Sequence, residues 1–204
     1  MHTENIIQAG NTSNPKKALI MIHGRGGSAR DIMSLAQYLP VSDYLLLGPE
    51  ATNNTWYPNS FIAPVASNQP YLDSAIDLVG KAVEQAESLG ITKENIYFLG
   101  FSQGACLTLE YVARNANKYG GAAAFTGGLI GDQVYTENYK GQFDGTPIFI
   151  GTSDPDFHVP VERVQESTNV LKGMGAEVVE KIYPNMGHTI SQDEINEVNH
   201  LIFK

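Results

Sequence analysis

The run Gly100-Phe101-Ser102-Gln103-Gly104 narrows what this chain can fold into more than any other stretch, because the hydrophobic period changes across it. Residues 95–99 form a short apolar run of strand character. Residues 103–115 instead carry Ala105, Leu109, Val112 and Ala113 at helical spacing. A strand that passes straight into a helix is half of a β-α crossover, the connection that parallel strands require. A serine on so sharp a turn has a strained backbone, and glycines on both sides let strand and helix approach closely. Its hydroxyl is pushed out of the sheet at the N-terminus of a helix, where the dipole favours negative charge. The plainer alternative is an N-capping serine between two turn glycines.

The rest of the chain repeats that alternation. Strands are expected at 18–22, 44–47, 121–125, 147–150 and 177–182, with an edge strand at 5–8. Helices are expected at 29–39, 72–89, 161–171 and 193–203, and Gly90 stands where a left-handed C-terminal cap is needed. The apolar runs are nearly continuous, as befits strands covered on both faces. With 204 residues, 42% of them hydrophobic and 17% charged, the chain suits one α/β domain with helices on both faces of a mostly parallel sheet. Residues 49–69, rich in Pro, Asn and Ser, lack a period; a loop of that length in a compact chain is more often functional than idle.

A serine hydroxyl needs a general base beside it. On strand-turn-helix elbows of this kind the catalytic residues follow in the order serine, acid, histidine. Of the five histidines, His2 and His23 precede Ser102 and His200 falls within the last amphipathic segment. His158 reads as a neighbour of the site, a surface residue or, as the last of three readings, a rival base. His188, in the turn-rich run 184–188 after a strand, is the expected base. The acid that fixes the imidazole tautomer should follow the strand at 147–150, where Asp154 and Asp156 both stand, and spacing alone does not separate them.

The segment His23-Gly24-Arg25-Gly26-Gly27 follows the first central strand and can turn backbone N–H groups inward. The N–H groups of Arg25 and Gln103 are the candidate oxyanion donors. A phosphate-binding reading fails because neither nucleotide-loop glycine pattern is completed. Trp56, Tyr57, Phe61 and Ile62 form an aromatic-apolar cluster in the long loop. They line a substrate pocket beside His23 and Gly24, or else pack the loop onto the body.

These motifs resemble the phospholipase/carboxylesterase family of α/β-hydrolases, relatives of acyl-protein thioesterases and small bacterial carboxylesterases. The carriers are His23-Gly24-x-Gly26, Trp56-Tyr57, the elbow around Ser102, Asp154-x-Asp156-x-x-Val159-Pro160 and Gly187-His188. The resemblance implies an α/β-hydrolase fold without a sizeable lid and Asp156 as the acid. It also implies Arg25 and Gln103 as oxyanion donors, and a small-molecule ester as substrate. Thioesterase or lysophospholipase activity, and a non-catalytic binding protein on the same fold, are the alternatives; a homodimer is a further implied possibility. Arg25 and Gly27 depart from the leucine and aspartate usual in thioesterase members, so the guanidinium either alters substrate choice or faces solvent.

The formal net charge of -9 argues against nucleic-acid and anionic-membrane partners. The single cysteine, Cys106, excludes an internal disulfide or a cysteine metal cluster and is expected to be a buried structural thiol. No metal or cofactor is expected, since His-Glu-x-x-His is missing. The N-terminal residues lack the pattern of a secretory signal and no long apolar run occurs, which makes a cytoplasmic protein without stable membrane insertion the expectation.

Overall fold

The computed structural model describes residues 1–203. Seven strands form one sheet: β1 (Ile6–Gly10), β2 (Ala18–Ile22), β3 (Leu45–Pro49), β4 (Ile96–Phe101), β5 (Gly121–Phe125), β6 (Pro147–Asp154) and β7 (Glu177–Pro184). Their order is β1-β3-β2-β4-β5-β6-β7, and only the edge pair β1–β3 is antiparallel. The helices are α1 (Ala29–Met33), α2 (Tyr71–Ser88), α3 (Gln103–Arg114), α4 (Val161–Gly173) and α5 (Gln192–Leu201). This is the α/β-hydrolase architecture.

Alternation along the central strands fills two cores. Ala18, Ile20 and Ile22 of β2 join a core with α2, α3 and α4. Leu19 and Met21 face a second core with α1 and α5. Every side chain of β2, β3 and β5 is buried, which is why those runs read as continuously apolar.

Three expectations shift. The helix expected over 29–39 is α-helical only to Met33 and tightens into a 3₁₀ turn over Ser34–Tyr38, where the Ser34 hydroxyl donates to the Asp31 carbonyl. Strand β6 runs on to Asp154 because β7 pairs with it over its full length. The loop over 49–69 holds two 3₁₀ turns, Thr52–Asn54 and Val65–Asn68. Gly90 does take a positive φ, 81°, beyond α2.

The sheet order reverses direction at β2, with β3 on one side and β4 on the other. The crevice beyond their carboxyl ends is where open α/β sheets bind ligands. The loop 23–27 leaves β2 there, and Ser102 leaves β4 there.

Candidate active site

Ser102 is the residue between β4 and α3, held at φ 54° and ψ −118°. A non-glycine residue in that region costs about 1–3 kcal/mol and persists only when its surroundings enforce it. Here the Ser102 N–H donates to the Phe125 carbonyl at 2.9 Å, and its own carbonyl accepts from Cys106 N–H in the first turn of α3. The side chain is left pointing off the sheet, half-buried.

His188 Nε2 lies 2.8 Å from Ser102 Oγ, and His188 Nδ1 lies 2.8 Å from Asp156 Oδ2. An ionised carboxylate only accepts, so Nδ1 carries the proton and Nε2 is free to accept from the serine hydroxyl. Asp156 is the carboxylate that meets the imidazole. Asp154 is exposed at the end of β6, where its main-chain carbonyl accepts from Asn185 N–H. The Asp156 side chain is fully covered. Burial pushes its carboxyl up, but hydrogen bonds from His188 and from the amides of His158 and Val159 outweigh it, leaving the group below the ordinary aspartate range.

Sequence reasoning missed Ser153. Its buried hydroxyl accepts from Gly187 N–H at 2.9 Å and donates to the Pro155 carbonyl at 3.3 Å. It therefore ties the loop bearing Asp156 to the loop bearing His188. No pattern announces such a residue, because its partner lies 34 positions away.

The amides of Arg25 and Gln103 take up no acceptor among the hydrogen bonds of the described residues, whereas the neighbouring Gly26 and Gly27 amides are paired with Asn54 and Gly24 carbonyls. Arg25 and Gln103 line the same cleft as Ser102, and N–H donors free to meet a developing oxyanion are what acyl transfer to a serine requires. The two side chains do something the motifs did not predict. Gln103 accepts from Trp56 N–H at 2.9 Å and donates to the Tyr57 carbonyl at 2.8 Å. The Arg25 guanidinium donates to the carbonyls of Tyr57, Pro58 and Asn59 at 2.8–3.1 Å. Asn68, fully buried, accepts from Asn59 N–H and donates to the Ser60 carbonyl. Residues 57–60 thus form a fixed wall rather than a loose lid.

That wall, Ser102 and His188 border an open cleft of about 480 Å³. Tyr57, Phe61 and Cys106 line it from the core side, and His158 faces it beside His188, with ring centroids 5.0 Å apart. Three residues expected in the pocket, Trp56, His23 and Gly24, do not line it. Trp56 is wholly buried, its ring between His2 and His23 and its Nε1 donating to the His23 carbonyl. The bulk and single polar handle of indole fit it for stapling the loop to the body. His23 is likewise buried, its ring spent on the Gly24 carbonyl and the Ala51 amide. Gly24 borders a separate groove on the other side of the 23–27 loop, against Ile32, Leu35 and Phe101. Burial pushes the Cys106 thiol up to about 12, so it is protonated and inert at neutral pH. No group of three or more His, Cys, Asp or Glu suited to a metal ion occurs among the described residues, and no described helix is long and apolar enough to cross a membrane.

The family model described as phospholipase/carboxylesterase matches residues 2–204. A crystal structure of a phospholipase/carboxylesterase from Dyadobacter fermentans is 56% identical, covers 100% of this chain and 98% of its own, and superposes with a TM-score of 0.98. Among curated relatives, a probable carboxylesterase of Oryza sativa subsp. japonica is 33% identical over 68% of this chain and 55% of its own length. An acyl-protein thioesterase 1 of Gibberella zeae is 32% identical over 60% and 53%. The chain thus spans about half the length of these two relatives.

Proposed function

The chain belongs to the phospholipase/carboxylesterase family, and from that premise we propose that it is a serine hydrolase cleaving carboxylic esters of small or medium acyl or aryl groups. Ser102 Oγ attacks the ester carbonyl while His188 Nε2 takes its proton. The Arg25 and Gln103 amides hold the resulting oxyanion, and Asp156 holds the imidazolium. His188 then returns the proton to the leaving alcohol oxygen, giving an acyl-Ser102. A water molecule, deprotonated by the same imidazole, attacks that ester and releases the acid.

The observation that carries this reading is the relay of two 2.8 Å contacts from Ser102 through His188 to Asp156, in a cleft open to substrate. Ser102→Ala should lower kcat on 4-nitrophenyl esters by about 10³-fold or more, and a fluorophosphonate should label wild-type Ser102 alone. Full activity in the alanine variant would overturn it. An acyl thioester presents the same carbonyl to Ser102, and the name of the Gibberella relative supports that second reading. Matched oxygen and thiol esters compared by kcat/KM separate the two.

A further inference from the structure

We propose that the cleft selects esters whose acyl half carries an anionic group, such as the half-esters of dicarboxylic acids, and that the Arg25 guanidinium makes the selection. The inference rests on the esterase reading above and names its substrate class.

The chain has 22 acidic residues against 13 Lys and Arg, so its surface as a whole repels anions. The cleft reverses that balance: its lining among the described residues includes Arg25 and no Asp or Glu. Arg114 and Arg163 each pair with a carboxylate, but none of the ion pairs of the described residues includes Arg25. Its three partners are carbonyl oxygens of the 57–59 wall, which orient the guanidinium without neutralising it. Those contacts use three of its five N–H groups and leave two for a ligand. An arginine fixed in place before binding loses little rotamer freedom when an anion arrives.

The chemistry says which half of the ester meets it. His188 must reach the leaving oxygen, so the alcohol half lies on the side of His188 and His158. The acyl half then runs along the opposite wall, over Tyr57 and Phe61, where Arg25 is anchored. An acyl chain ending in a carboxylate gains charge-assisted hydrogen bonds there that one ending in a methyl cannot make.

The test compares mono-4-nitrophenyl adipate with 4-nitrophenyl hexanoate, which differ by a terminal carboxylate in place of a methyl. Wild-type kcat/KM should favour the adipate at least about fivefold near 0.01 M salt, and the ratio should collapse toward one near 1 M, where the Debye length falls from roughly 30 to roughly 3 Å. Arg25→Gln should bring the ratio to about one; the ratio is the readout, because losing the three anchors of the 57–59 wall lowers the turnover of both esters. If that variant does not fold, the wild-type salt series decides. Equal or better turnover of the hexanoate, or a preference insensitive to salt, would overturn the proposal while leaving the esterase reading standing. A preference that survives Arg25→Gln but disappears in His158→Gln would overturn the assignment to Arg25. Hydrolysis of neither ester would overturn the esterase reading as well.

Discussion

A methyl added at Gly104 would stand 2.1 Å from the Ile22 carbonyl oxygen and 2.5 Å from that of His23. One added at Gly100 would stand 2.3 Å from the Gly104 carbonyl. The two glycines around Ser102 therefore have separate tasks. Gly100 lets α3 fold back against β4, and Gly104 lets α3 rest on the end of β2, beside the loop that carries the Arg25 amide. Because the obstructing atoms are backbone, no rotamer change relieves them. Gly104→Ala should cost about 3 kcal/mol or more, read as a lower urea midpoint, and an unchanged midpoint would refute the close approach. At this scale the sequence was highly legible. A strained serine between two glycines is specified by neighbours in the chain, so a short window contained the whole signal.

Among the elements, α5 shows how a helix terminus can hold a site in register. Ser191 and Glu194 form a reciprocal capping box three residues after His188. Glu194 is fully buried; one of its oxygens accepts from Ser191, and the other has no hydrogen-bond partner among the described residues. Burial pushes its carboxyl up, and the Ser191 contacts offset this only in part. Between the ordinary glutamate pKa and the raised one, the folded state holds more proton than the unfolded chain, so stability is lost as pH rises through that interval. Glu194→Gln keeps the cap and removes the buried charge. The variant's stability relative to wild type should rise by on the order of 1 kcal/mol from pH 4 to pH 8; a pH-independent difference in denaturant midpoints would contradict this. Element type was readable wherever a period persisted, as in α2 and α3. Boundaries were not, because the last residues of β6 become strand only through pairing with β7.

For the molecule as a whole, two histidines join distant segments to the long loop. His23 Nδ1 donates to the Gly24 carbonyl while its Nε2 accepts from Ala51 N–H. His2 Nε2 donates to the Trp56 carbonyl while its Nδ1 accepts from Thr52 N–H. Each ring must be neutral to accept, and burial lowers both pKa values against the raising effect of those carbonyls. The unfolded chain takes up protons near pH 6.5, where the folded one resists. This contribution to stability is complete above that pH and shrinks as pH falls toward the lowered values. Unfolding free energy should therefore drop between pH 7.5 and pH 5.5, and His2→Gln should reduce the drop; an equal drop in the variant would rule out His2 as a source.

What the sequence determined by itself was local: the alternation of strand and helix, the elbow that carries Ser102, and the glycine-bearing loop that carries the Arg25 amide. Each depends on backbone geometry and periodicity within about ten residues. Spacing left Asp154 and Asp156 unseparated where the family resemblance pointed to Asp156. Whether Trp56 lines the cleft or staples the loop, where the Arg25 guanidinium is held and how Asp156 meets His188 were decided only in three dimensions. Those outcomes rest on contacts between residues about 30 positions apart. Packing and hydrogen-bond satisfaction at such range depend on the path of the whole sheet, and no pattern along the chain encodes that path.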